Sequence, residues 1–168
     1  MLDPLGPDDA DAMVGVLGDP RLHAFTGGHP LALDDLRKRF HRLAAGRSPA
    51  GDETWLNWII RLRASGTAAG PCVGTVQATI TGAAVRHAVI AWIVGVPWQR
   101  QGIAGEAAVA LVDWLERQGI GSISANIHPR HVASQKVAAR AGLVRTGEIV
   151  DGEQTWRRPF PLAPTTGL

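Results

Sequence analysis

Between Val96 and Ala107 the chain reads VPWQRQGIAGEA. Gln99, Arg100 and Gln101 carry hydrogen-bond donors, and Gly102, Ile103, Ala104 and Gly105 follow at the point where an amphipathic helical pattern begins. The first N–H groups of a helix lack intrahelical partners, and the helix dipole puts partial positive charge there. An anion docks at that end when small side chains let it approach the backbone, so the stretch has the chemistry of a phosphate cradle. It is not a mononucleotide loop, because no Gly-Lys-Ser/Thr follows, and it is not a dinucleotide fingerprint, because G-x-G-x-x-G is absent.

Other reactive side chains are few. His128 and His131 are three residues apart, with no neighbouring cysteine or converging third ligand in the sequence, so no metal site is expected. Cys72 is the single cysteine; it excludes an internal disulfide, and PCVGTVQATI reads as a strand around it. Ser134 stands at the start of a second helical pattern, VASQKVAARAG, where serine is a natural cap.

The elements that must hold these groups follow from periodicity. Asp8 to Leu17 reads as a short helix stopped by Gly18, Asp19 and Pro20; HAFTGGHP reads as a loop. LALDDLRKRFHRLAAG places Leu33, Leu36, Phe40 and Leu43 at helical spacing. TWLNWIIRL, CVGTVQATI and AVIAWIVGV read as three strands of an antiparallel meander, the first with Leu56, Trp58, Ile60 and Leu62 on one face. The turn between the first two is SGTAAGP. Gly102 to Gln118 is the next helix, with an apolar stripe of Ala107, Ala110, Leu111, Trp114 and Leu115. SISANIHP, VASQKVAARAG, LVRTGEI and QTWRRP complete the order as strand, helix and a strand pair. The strand–helix–strand from Ala88 to Pro129 needs a crossover, so those two strands are expected to be parallel. The fold class is α+β: a mixed, mostly antiparallel sheet with one parallel pair, flanked by helices.

The 168 residues suit a single domain, expected over 1–160, with 161–168 a loose tail. Hydrophobic residues make up 45% and no apolar run is long enough to span a bilayer, so no membrane partner is expected. The acidic N-terminus and lone cysteine point to the cytoplasm. The pI is about 9.3, but the net charge is only +2 and the arginines are scattered, which argues against a nucleic-acid partner.

Gln99-Arg100-Gln101-Gly102-Ile103-Ala104 resembles the Gln/Arg-x-x-Gly-x-Gly/Ala signature of the GCN5-related N-acetyltransferase superfamily. NIHPRHVASQKVAARAGLVRTGE, FTGGHPLALDDLRKRF and WLNWIIR resemble the branch containing ribosomal-protein N-terminal acetyltransferases. The resemblance covers nearly the whole chain. It implies that acetyl-coenzyme A docks where the two parallel strands splay apart. Val94, Gly95 and Val96 would pair with the pantetheine arm, the amides of Arg100, Gln101, Gly102, Ile103, Ala104 and Gly105 would bind the pyrophosphate, and Gln99 is a further cofactor-binding donor nearby. Arg100, Arg130, Lys136 and Arg140 are the candidate cations for the remaining phosphates.

The implied reaction is attack of a neutral primary amine on the thioester, with no covalent enzyme intermediate. The acceptor is a protein N-terminus, a peptide or a small molecule. Many relatives protonate the leaving thiolate with tyrosine, and this chain has none. In the branch it resembles, the donor is a serine at the position of Ser134; the alternative is that Ser134 only caps its helix. His131, where the branch often has asparagine, is a second catalytic candidate and a cofactor contact, or else a loop histidine closing the helix entry. The glutamate that relatives use as base falls at Val89, leaving the base unassigned: His87, Glu53 and Asp52 are substitutes by location only, beside bulk water or the amine's own equilibrium. Phe25, Thr26, Gly27, Gly28 and Trp55 are the implied acceptor wall. Relatives often form homodimers, though no stretch here marks an interface. The rival functional reading is a silent coenzyme A-binding sensor or scaffold.

Overall fold

In the computed structural model, residues 1–63 and 69–159 are described. The SGTAAGP turn falls largely outside these residues, and the expected tail falls wholly outside them. The elements run β1 (Leu2–Pro4), α1 (Ala10–Leu17), α2 (Leu33–Ala44), β2 (Thr54–Arg63), β3 (Ala69–Thr81), β4 (His87–Val94), α3 (Ile103–Arg117), β5 (Ser122–Ile127), α4 (Val132–Arg140), β6 (Val144–Val150) and β7 (Glu153–Arg157). Short 3-10 turns occupy Pro7–Asp9, Pro20–His23 and Val96–Trp98.

Seven strands form one sheet in the order β1-β2-β3-β4-β5-β7-β6. Every pairing is antiparallel except β4 with β5, the pair expected from the crossover. Successive strand residues point to opposite faces, and Ile59 and Ile60 divide the core accordingly. Ile59 packs with Met13, Leu36 and Phe40 of α1 and α2. Ile60 packs with Val76, Ile90 and Ile123 under Leu111, Leu115 and Ala138 of α3 and α4. On that second face Trp58 meets Trp114 edge-on, with ring centroids 5.4 Å apart.

Two expectations shift. The buried stripe of α3 is Ala107, Ala108, Leu111, Val112 and Leu115, while Ala110 is exposed and Trp114 half-buried. Gly105 is buried as well, packed under the Arg140 side chain of α4. Strand β1 was not expected: it is three residues long and contains Pro4, which only an edge strand tolerates. It is held from outside, by pairing of Leu2 with Ile60 and by an Arg61–Asp3 ion pair at 2.8 Å. Arg61 also binds Asp9 at 2.8 Å and donates to Cys72 Sγ, so one guanidinium ties the N-terminal segment to β2 and β3. No helix among the described residues is long and apolar enough to cross a membrane.

Candidate active site

The parallel ladder between β4 and β5 is short. It joins His87, Ala88 and Val89 to Ser122, Ile123 and Ser124 and goes no further. Both strands continue, β4 beside β3 to Val94 and β5 beside β7 to Ile127. A cleft of about 690 Å³ opens where they part, lined by Ile90 to Val94 on one side and Ala125 to Ile127 on the other. At the closed end Ser124 Oγ and His87 Nε2 are 3.0 Å apart. Burial, and then the nearby Arg157, hold that histidine below the ordinary histidine range.

The ladder register decides which backbone groups face the cleft. Gly95 N–H donates to the Val73 carbonyl at 2.8 Å, continuing the β3–β4 ladder by one pair. Bonded and open pairs alternate in an antiparallel ladder, so Ala91, Ile93 and Gly95 bond to β3, while Ile90, Trp92 and Val94 turn their peptide groups towards β5. With no partner strand there among the described residues, those groups front the cleft. The Val94 carbonyl is taken by the Gln99 side-chain amide at 3.0 Å, which leaves the Val94 N–H. Gly95 itself is buried against Val16 and Trp98 and does not line the space.

The Gly102 region forms the next wall. Gly102 caps α3 with φ of 81°, a left-handed conformation that glycine adopts without strain. The first intrahelical bond runs from Glu106 N–H to the Gly102 carbonyl at 3.0 Å, so the amides of Ile103, Ala104 and Gly105 precede it. Arg140, from the last turn of α4, lies directly over them. A Cβ on Gly105 would come within 2.6 Å of Arg140 Cδ, and one on Gly102 within 3.3 Å of its Nη1. A guanidinium set over the positive end of a helix is a like-charge placement, and it becomes favourable when an anion sits between them. Arg140 makes no ion pair among the described residues. Arg100 and Lys136 line the same cleft, and Arg130 does not.

At the entry to α4, His131 occupies the N-cap, and its Nδ1 accepts the backbone N–H of Ser134 at 3.4 Å. That hydrogen bond fixes the tautomer: Nδ1 is unprotonated and Nε2 carries the proton. Burial first, and His128 second, hold His131 below the usual histidine range. The Ser134 hydroxyl has no protein hydrogen-bond partner among the described residues, and Ser134 lines the cleft. Phe25 stacks on His131 at 4.4 Å and 24°, and sits 5.4 Å from His128, so the Pro20–His23 turn and the loop after it are strapped across to α4. Asp19 caps that turn and is gripped by Arg21 through the side chain and then the backbone, which holds its carboxyl down to about 2.

Of the residues singled out from the sequence, Val94, Gln99, Arg100, Gly102, Ile103, Ala104, Gly105, His131, Ser134, Phe25 and Thr26 line this one cleft. Gly95, Val96, Gln101, Gly27, Gly28 and Trp55 do not. The Gln101 amide is folded onto the Pro97 carbonyl, Val96 opens the 3-10 turn, and Gly27 and Gly28 sit in an exposed loop at positive φ. Trp55 lies in a separate groove. Glu153 was not anticipated, yet it is the carboxylate that lines the cleft among the described residues. Gln154 pairs with Ile127, the last residue of β5, which brings Glu153 to the cleft. Local sequence carries no signal for this, because it depends on β7 inserting between β5 and β6. No group of three potential metal ligands converges among the described residues.

The model of the GNAT acetyltransferase domain matches residues 1–144. The chain belongs to the GNAT acetyltransferase family. No curated protein matches its sequence. Solved structures share its fold at low identity. An aminoglycoside acetyltransferase, AAC(6')-Ib, solved with ribostamycin and coenzyme A, superposes with a TM-score of 0.73 at 16% identity, over 94% of this chain and 90% of that one. A domain from Methanocaldococcus jannaschii gives 0.71 at 17% identity, over 94% and 96%. A Vibrio cholerae protein described as a ribosomal-protein-serine acetyltransferase gives 0.67 at 19%, over 93% and 91%. As a GNAT acyltransferase, this protein has its family's mixed sheet, opened between the one parallel pair.

Proposed function

We propose that this GNAT protein transfers an acetyl group from acetyl-coenzyme A to a primary amine by direct attack in a ternary complex. The observation that carries the reading is the end of the β4–β5 ladder at Val89, in a cleft that also holds the bare amides of Ile103 to Gly105. An extended pantetheine arm would pair with the cleft-facing groups of Trp92 and Val94 in the manner of an added strand. The diphosphate would lie on the α3 amides under Arg140, with Arg100 and Lys136 as further cations.

The chemistry needs three tasks from the chain. With the Val94 N–H and the Trp92 carbonyl taken by the arm, the Trp92 N–H, two residues nearer the end of the β4–β5 ladder, donates to the oxyanion as the amine nitrogen adds to the thioester carbonyl. The C–S bond then breaks, and the Ser134 hydroxyl gives its proton to the departing sulfur. Glu153 accepts the proton that the amine nitrogen sheds as its bond to carbon forms. His131 positions Ser134: its ring caps the helix through Nδ1, so the serine hydroxyl is not consumed as the cap.

Release of free thiol from acetyl-coenzyme A in the presence of a panel of primary amines tests this. Amine-dependent thiol release with formation of an acetylated product is expected. Tight cofactor binding with no turnover on any amine would instead favour the silent module, a reading kept in view by the absence of tyrosine and by Val89 at the position of the relatives' base.

A further inference from the structure

A second groove, of about 450 Å³, lies at the C-terminal end of α2 and is lined by Arg42, Arg47, Ser48, Pro49, Gly51 and Trp55 among others. Arg42 and Arg47 are exposed, and neither makes an ion pair among the described residues. Two cations a turn earlier on α2 are paired, Arg37 with Asp11 and Asp34 and Lys38 with Asp35, while Arg39 is unpaired among the described residues but does not line the groove. Two carboxylates, Asp52 and Glu53, stand next to the groove without lining it, each held by a neutral donor that does line it. Ser48 Oγ donates to Asp52 at 2.6 Å, and Trp55 Nε1 donates to Glu53 at 2.7 Å. The groove thus presents two guanidinium groups beside an indole, a combination that suits a carboxylate carried on a flexible chain.

This groove is connected to the cleft by one face of the sheet. Asn57, Gln77 and Ala91 are direct neighbours across β2, β3 and β4, as are Trp55, Thr79 and Val89 in the next row. All six are uncharged and at least partly exposed, and Ala91 lines the cleft. Strands lie about 4.8 Å apart, so Ala91 to Asn57 spans about 10 Å, and Trp55 lies about 7 Å further along β2. The diagonal from Ala91 to Trp55 is about 12 Å, which an extended peptide advancing about 3.3 Å per residue covers in about four residues.

Resting on the acetyl-transfer reading, we infer that the acceptor is a peptide whose amine enters the cleft while acidic residues about four to six positions later seat between Arg42 and Arg47. A polycationic acceptor is disfavoured by the same charges, and the cleft offers it only Glu153 among the described residues.

The test uses the whole protein and three eight-residue peptides, identical except for Asp/Glu, Asn/Gln or Lys/Arg at residues five to seven. Turnover is measured with acetyl-coenzyme A, and binding by calorimetry with N-acetylated, unreactive versions. The acidic peptide is expected to exceed the basic one by about tenfold in kcat/KM and in affinity, the size of one charge-assisted hydrogen bond. The Arg42→Glu/Arg47→Glu variant reverses the order and leaves coenzyme A affinity unchanged. Equal values for the three peptides, binding of none, or an unaltered order in the double variant overturns the inference. Charge-dependent calorimetric binding that reverses in the double variant, with no turnover on any amine, supports the groove and strikes the acetyl-transfer reading instead.

Discussion

The imidazole of His131 takes the capping position that the sequence leaves open to Ser134. Its Nδ1 accepts the Ser134 backbone N–H at 3.4 Å, and the serine hydroxyl keeps no protein partner among the described residues. One histidine therefore separates two jobs, closing the helix and serving the cleft, that would otherwise compete for a single hydroxyl orientation.

The first consequence concerns Ser134→Ala. A positioned general acid is worth about 10²-fold or more in rate, and removing this hydroxyl breaks no protein hydrogen bond in the free enzyme. We predict a fall in kcat of that order, with coenzyme A affinity and thermal midpoint nearly unchanged. Steady-state kinetics beside a melting curve checks it; loss of stability with full turnover would return the serine to a structural role.

His131 should titrate below the ordinary histidine range, because burial and His128 both oppose its charge. The sign follows from linkage: the folded pKa is depressed, so the unfolded chain binds the extra proton first. Stability from this group is complete above the unfolded value and falls as pH drops from there through the folded one. An NMR titration of the imidazole reads the pKa directly. His131→Ala should cost about 1 kcal/mol as a lost cap, and His131→Asn, whose side-chain oxygen can also accept, should restore most of it.

Arg140→Ala should weaken coenzyme A binding by about tenfold, the worth of a hydrogen bond to a charged group, and flatten its dependence on salt. Turnover at saturating cofactor should be preserved, because Arg140 lies over the α3 amides of the proposed diphosphate site rather than beside Ser134. Affinity measured at two ionic strengths for both proteins is the check.

Arg61→Ala should loosen the first strand without touching the cleft. The arginine loses contacts to Asp3, Asp9 and Cys72 at once, and its side chain is only 22% exposed. A cost of about 2 kcal/mol is expected, less than the removal of one partner from a wholly buried pair because water still reaches these groups. Denaturant unfolding should show it, with coenzyme A affinity retained below the transition.

The sequence and the structure agree where chemistry is local. Gly102 announces itself because its left-handed φ and the small residues after it are requirements of the backbone. Strands β2 to β4 were readable because Trp58, Val76 and Trp92 share one face by simple alternation. What was hidden depends on contacts distant in the chain. Strand β1 exists through Arg61, some sixty residues away. Glu153 reaches the cleft through the insertion of β7 beside β5. Trp55, named with the acceptor wall, falls in the Arg42–Arg47 groove because the Gly46 carbonyl binds its amide and fixes β2 beside the end of α2. The capping competition at Ser134 could not be decided from spacing, since both His131 and Ser134 stand at the helix entry and only side-chain direction separates them.

The most direct measurement is calorimetric titration of coenzyme A, with pantetheine as the companion lacking the diphosphate, into the wild-type protein and Gly105→Val. Valine at position 105 would put branches where Arg140 and an incoming phosphate must meet the helix end. The account predicts saturable one-to-one binding of coenzyme A, much weaker binding of pantetheine, and loss of the difference in the folded variant. Equal affinity for the two ligands, or coenzyme A binding untouched by the valine, would contradict it.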